Sequence, residues 1–141
     1  NMIASKKTNL NRLASEKPQF SKMMGLKVTK ADKNQVEAEL FVKELFTNRN
    51  GVMHGGAIMG FADDVGGTTT FMNLKKGLST TTIESKTNFL RPIHIGDTIT
   101  AICKVLNLGK KIVVLQTTIF RSDKKIAAIV TQTQIILKFS E

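Results

Sequence analysis

The residues with the most chemistry to offer stand close together, in the stretch TNRNGVMHGGAIMGFADD from Thr47 to Asp64. Asn48, His54, Asp63 and Asp64 bring a carboxamide, an imidazole and two carboxylates to a segment that otherwise reads as a core helix. Gly55, Gly56 and Gly60 each cost about 1 kcal/mol relative to alanine in a helix interior. Something other than helix propensity sets this composition.

We read one helix from about Gly55 to Met72, ended by LKKG. Gly55 and Gly56 fall at its start, where the first backbone N–H groups lack an internal partner and carry the positive end of the helix dipole. A glycine there lets an oxygen approach the backbone without a Cβ in the way. That oxygen could belong to a bound anion, or to a carbonyl gaining negative charge during acyl transfer. His54, just before the start, could donate to the same oxygen or simply cap the loop. Asn48 has the same two readings, because its carboxamide both donates and accepts. Asp63 and Asp64 stand among Ile58, Phe61, Ala62 and Val65, where an acid is costly unless paired or used. A desolvated carboxylate at such a place is the stronger base.

Gly55 and Asp63 are eight residues apart, about 12 Å along a helix at 1.5 Å per residue. An attacking group must reach within about 3 Å of the carbonyl carbon. One copy of the helix cannot serve both ends of that reaction. If both residues act together, Asp63 comes from a second chain whose helix runs antiparallel alongside, which means a two-fold dimer with two equivalent interfacial sites.

The elements that would hold this stretch follow from period and punctuation. Asn9 to Glu16 and Gln19 to Met24 read as short helical pieces, with Pro18 suited to opening the second. Residues 1–24 thus form an N-terminal helical segment ahead of a single domain over 25–141. Val36, Ala38 and Leu40 alternate with Glu37 and Glu39 as a half-buried strand behind the turn ADKN. After the helix come four strands. TTTIESKTNFL sets Ile83, Ser85, Thr87 and Phe89 against Thr82, Glu84, Lys86 and Asn88, and RPIHIGD breaks it. TITAICKVLNL, IVVLQTTIFR and IAAIVTQTQIILKF follow, parted by GKK and SDKK. Short turns between consecutive strands imply antiparallel pairing. Two leading strands, one helix and four more strands make an α+β architecture of about six antiparallel strands around one long central helix. Gly60, Gly66 and Gly67 are then expected to let the sheet backbone come close.

The chain has 141 residues, a 41% apolar and 23% charged composition, and a formal charge of +10. That suits one globular domain, and no apolar run nears the roughly 18 residues of a membrane span. The first residues, NMIASKKTNLNRL, hold no leader-like apolar stretch, and one cysteine makes no internal disulfide. A reducing cytoplasm is the expected location. The charge suits a solvated surface or a small phosphate-rich ligand. Nucleic acid is disfavoured, since there is no Trp or Tyr and the lysines lie in pairs scattered from Lys6 to Lys125. Cys103 occupies an alternating strand position as a core thiol. Two histidines forty residues apart, without CxxC or HxxxH spacing, offer no metal site.

NRNGVMHGG, an acid nine residues after the histidine, a strand ending NFLRP, and GDTITA together resemble the hotdog-fold acyl-CoA thioesterases of the phenylacetate-pathway (PaaI-like) group. The likeness runs from about Phe20 to Phe139. It implies that the Gly55 N–H polarises a thioester carbonyl, with Asn48 and His54 lining the same side. It implies that Asp63 of the other subunit is general base or nucleophile, and that a hydroxyl at Thr82 helps position the water. Asp64 gains no fixed role. The family needs no metal or separate cofactor; coenzyme A enters as part of the substrate. Its phosphates call for cations, and Arg91, His94, Lys110, Lys111 and Lys124 lie in turns from which they could reach. The acyl pocket is expected to involve Phe61, Met59, Phe89 and the N-terminal helices. A homodimer, or a dimer of dimers, follows.

The alternative reading is a non-catalytic hotdog dimer that senses or carries acyl-CoA. Asp63 beside Asn48, His54 and Gly55 speaks against it, since a binder needs no base. A hydratase needs an aspartate–histidine pair, and nine residues place His54 and Asp63 about 180° apart around one helix.

Overall fold

The computed structural model describes residue 16 and residues 18–138. The helical piece expected over Asn9 to Glu16 lies, but for Glu16, outside the described residues. Helix α1 spans Gln19–Met24 with Pro18 at its N-cap. It ends at Gly25, whose φ of +78 lets its N–H bond back to the carbonyls of Ser21 and Lys22, a left-handed stop that suits glycine.

Strands β1 (Lys27–Ala31) and β2 (Gln35–Phe41) meet at a tight turn in which Asp32 Oδ1 accepts from the N–H groups of Asn34 and Gln35, the local bonding that makes aspartate a turn residue. A 3-10 turn over Glu44–Phe46 leads to the long helix α2, Gly55–Phe71. Four strands follow: β3 (Leu78–Phe89), β4 (Thr98–Leu108), β5 (Ile112–Phe120) and β6 (Ile126–Lys138). They form one antiparallel sheet in the order β1-β2-β4-β5-β6-β3, with α2 packed against it. This is the hotdog arrangement, in which the helix carries the chain from β2 across the sheet to the far edge.

Helix α2 buries Ile58, Phe61, Ala62, Val65, Gly66, Thr69 and Thr70, a three-and-four spacing that marks one face. Thr69 and Thr70 return their hydroxyls to the carbonyls of Val65 and Gly66. Phe61 is 0% exposed and sits in the core, where full burial of its ring contributes about 1.5–3 kcal/mol. It therefore packs the domain, and the expectation that it lines an acyl pocket is corrected.

The glycines also differ from expectation. A Cβ at Gly66 would fall 1.8 Å from Gln132 Oε1, and one at Gly60 would fall 3.3 Å from the Phe20 ring of α1. A Cβ at Gly67 would meet nothing within 4 Å among the described residues. These positions make room for side chains or face open space, not for sheet backbone. The thinness lies in the sheet: one register row reads Ala38, Ala101, Ile119, Ala128, all buried. Three alanines in that row let the sheet curl towards the helix.

Strand β3 departs from simple alternation. Its register with β6 slips between Thr82 and Glu84, so Ile83 is an extra residue and stands 56% exposed. Such a bulge adds one residue and re-aims the side chains on either side. Thr82 thus shares the helix-facing side with the half-buried Ser85 and Thr87, where unbroken alternation sets it opposite them.

Candidate active site

The loop before α2 is braced by its own backbone. Asn48 N–H donates to Val52 O at 2.8 Å, Met53 N–H to Ile93 O at 2.8 Å and His54 N–H to Phe46 O at 2.7 Å. Asn48 Oδ1 accepts from Asn50 N–H at 2.9 Å, so the carboxamide oxygen fixes the loop and the NH2 group is left over. His54 caps the helix: its Nδ1 accepts from Gly56 N–H at 2.8 Å, and its carbonyl accepts from Ala57 and Ile58. Gly55 N–H is then the first donor at the positive end of α2 without a partner among the described residues.

Gly55 opens on a depression of about 330 Å³ that it shares with Asn48, Phe89 and Arg91. His54 faces elsewhere, lining a separate, mostly apolar depression of about 340 Å³ with Phe20, Met23, Leu45 and Phe46. Asn48 and Gly55 come together; His54 does not line the same side, because its ring is turned back over the helix start to make the cap.

Asp63 lies two turns on, on the exposed side of α2, in a depression of about 420 Å³ with Gly67, Thr82 and Gln134. Its Oδ1 accepts from Thr82 Oγ1 at 2.6 Å and from Gln132 Nε2 at 2.6 Å. Thr82 Oγ1 accepts from Gln134 Nε2 at 2.6 Å and from Gln132 Nε2 at 3.1 Å. Thr80 Oγ1 has two acceptors for its one proton, Gln134 Oε1 at 2.9 Å and Ile135 O at 3.0 Å. With both acceptor positions of Thr82 taken, its proton is directed at Asp63. In this arrangement Thr82 holds the carboxylate rather than a water.

Gln132 and Gln134 are functional candidates that sequence reasoning passed over. Each is 1% exposed on β6. The signal was present in IVTQTQI, where glutamines take alternate positions of a strand otherwise rich in Ile, Val and Thr. Gln132 Oε1 is buried without a partner among the described residues, which costs about 1–3 kcal/mol.

Asp64 has a structural bond. Ser21 Oγ of α1, fully buried, donates to Asp64 Oδ1. Phe20 beside it packs over Gly60, so α1 is fastened to α2 next to Asp63.

The basic residues do not converge within one chain. Arg91 and His94 lie at the helix-start end of the sheet, with Lys124 in the β5–β6 turn that Arg121 joins to Pro92 O at 3.1 Å. Lys110 and Lys111, between β4 and β5, lie at the other end, where Lys111 O accepts from Ile136 N–H. Successive turns of an antiparallel array alternate between its two ends, which puts Lys110 and Lys111 opposite the others. Cys103 is buried, and burial pushes its thiol above the usual range.

A family model for the thioesterase superfamily matches residues 50–128. The protein named "Putative esterase SSO2140" of Saccharolobus solfataricus is 34% identical over 110 residues, covering 78% of this chain and 77% of its own. The crystal structure of thioesterase HI1161 from Haemophilus influenzae is 26% identical with a TM-score of 0.82, over 95% of this chain and 92% of that one. The E. coli PaaI protein from the phenylacetic acid degradation operon shares the fold at 22% identity, TM-score 0.84, over 96% and 95% of the two chains. The chain belongs to the thioesterase superfamily and has the hotdog fold. Membership supports hydrolysis of acyl thioesters as its reaction class. No helix among the described residues is long and apolar enough to cross a membrane.

Proposed function

We propose that the chain hydrolyses acyl-CoA thioesters to a free carboxylic acid and coenzyme A, at sites shared between two subunits of a homodimer. The observation that carries this reading is the separation of two complementary half-sites on one helix. The N–H at Gly55, without a partner among the described residues, opens on one depression, and the Asp63 carboxylate opens on another. Eight residues of helix keep them about 12 Å apart, too far for one chain to hold and attack a single carbonyl.

A second copy with its helix antiparallel supplies the missing half. The open side of Gly67 among the described residues supports this, as does the position of β3 as the sheet's last strand. Gly55 N–H then donates a hydrogen bond to the thioester carbonyl oxygen, with the Asn48 carboxamide beside it. Asp63 of the partner subunit takes a proton from water as the water oxygen bonds to the carbonyl carbon, and the C–S bond breaks with that proton passing to the coenzyme A sulfur. The same carboxylate attacking the carbon directly would break the C–S bond, release coenzyme A as thiolate that takes a proton from solvent, and leave an anhydride for water to open. The antiparallel arrangement also sets the Lys110 and Lys111 end of one subunit beside the Arg91 and His94 end of the other, which suits coenzyme A phosphates.

The test is release of coenzyme A, followed by thiol titration, over a panel of aryl and straight-chain acyl-CoAs for the native protein and Asp63→Asn. Turnover that collapses in the variant while substrate binding survives supports the reading, and the panel names the acyl class. Tight acyl-CoA binding in both proteins with no turnover on any substrate sinks it.

A further inference from the structure

We propose that Gln132 is a positioning residue that selects the reacting oxygen of Asp63, pinning Oδ1 so that Oδ2 faces the substrate. The proposal rests on the reading of Asp63 as the reacting carboxylate. Both bonds that Asp63 makes to the described residues end on Oδ1, and Oδ2 receives none. One donor to Oδ1 leaves the carboxylate free to turn about that bond. Two donors from different strands, Thr82 of β3 and Gln132 of β6, fix its plane.

Gln132 is the firmer of the two. Its strand is paired on both sides, by β5 and by β3, and its side chain is buried. It also donates to Thr82 Oγ1, and with Gln134 it directs the Thr82 proton onto the same carboxylate oxygen. The amide donors of Gln134, through Thr82, and of Gln132, directly, thus both lead to Asp63 Oδ1.

A stability role does not explain the amide. Its Oε1 is buried without a partner among the described residues, and an apolar side chain of the same length would avoid that cost. The fold makes a specific allowance for it: Oε1 occupies the place where a Cβ of residue 66 would be, and residue 66 is glycine. The helix gives up a side chain so that the amide can reach the far side of Asp63. Turning the amide over would remove its donor from Asp63 and leave the NH2 group against Gly66.

The experiment compares Gln132→Met, Gln132→Glu and Gly66→Ala with the native protein by kcat, KM and melting temperature. Gln132→Met, which keeps length and loses the donor, is expected to lower kcat at least tenfold with KM within twofold and no loss of melting temperature. Gln132→Glu is expected to recover activity relative to the native protein as pH falls from about 8 to about 5, because only the protonated acid donates to Asp63. Gly66→Ala, whose methyl displaces the amide without removing it, is expected to show the same kcat loss. A Gln132→Met protein with kcat within twofold of native overturns the proposal, as does a Gln132→Glu loss that does not change with pH. If Gln132→Met fails to fold, the pH profile of Gln132→Glu decides. Asp63→Asn separates the two readings: unchanged turnover there removes the base itself, whereas loss there beside an active Gln132→Met removes only this proposal.

Discussion

Replacing Gly55 with proline isolates a single N–H. Gly55 is the first residue of α2, the position where proline is best tolerated because its nitrogen lacks a helical partner in any case. His54 before it has φ −62 and ψ 135, the extended conformation that a residue preceding proline prefers. No bond from Gly55 N–H to a described residue is lost. The added Cβ would stand 3.1 Å from Phe89 Cζ, and Phe89 is half exposed and can yield. Restricting the unfolded chain favours the variant by about 0.4–1 kcal/mol, which offsets the shift of Phe89. Gly55→Ala meets the same ring and keeps the N–H, so it is the control. If that N–H holds the developing oxyanion, Gly55→Pro lowers kcat about 10²–10³-fold relative to Gly55→Ala, with melting temperatures of the two within about 4 °C. The assay is steady-state coenzyme A release with thermal melts in parallel. A Gly55→Pro enzyme that is folded and within threefold of Gly55→Ala refutes the assignment of the helix start as the oxyanion site.

Further outcomes follow from other parts of the molecule. Asp63→Asn removes the base, so kcat falls about 10²–10⁴-fold, while the two bonds on Oδ1 lose their charged acceptor and stability falls by about 1–3 kcal/mol; a retained kcat counts against the mechanism. Ser21→Ala removes the hydroxyl that Asp64 binds and costs about 1.5–3 kcal/mol for a bond to a charged group, read from denaturant midpoints; an unchanged midpoint shows that this bond does not hold α1. Arg91→Gln leaves kcat unchanged and raises KM for acyl-CoA about fivefold, roughly 1 kcal/mol of phosphate contact, and that difference shrinks with added salt. Because burial raises the Cys103 thiol above its ordinary range, it stays protonated through pH 8 and labels with thiol reagents only after denaturation. Rapid stoichiometric labelling of the native protein contradicts that.

Features set by neighbouring residues were legible in the sequence. Strand β4 begins and ends where TITAICKVLNL does, and α2 starts at Gly55, because turn residues and a helix cap punctuate those segments locally. The phase of β3 was not legible. One inserted residue at Ile83 re-aims Thr82, and a bulge is decided by pairing with β6 rather than by the strand's own pattern. Nor could a one-dimensional pattern say that Gly66 answers to Gln132, 66 positions later, or that His54 turns back to cap its own helix. The acid and the helix start were found because their residue types are unusual in a core helix. The glutamines that hold the acid were missed because a polar residue on an alternating strand ordinarily means a solvent face.

The shared site is tested most directly by mixed dimers. Asp63→Asn and Gly55→Pro chains carrying different tags are co-expressed, and the heterodimer is isolated through both tags. One of its two sites collects both defects and the other collects none. The account predicts about half of native activity per dimer from two nearly inactive parents, by the symmetry of two equivalent interfacial sites. A heterodimer no more active than its parents contradicts it and places the oxyanion donor and the base in the same chain.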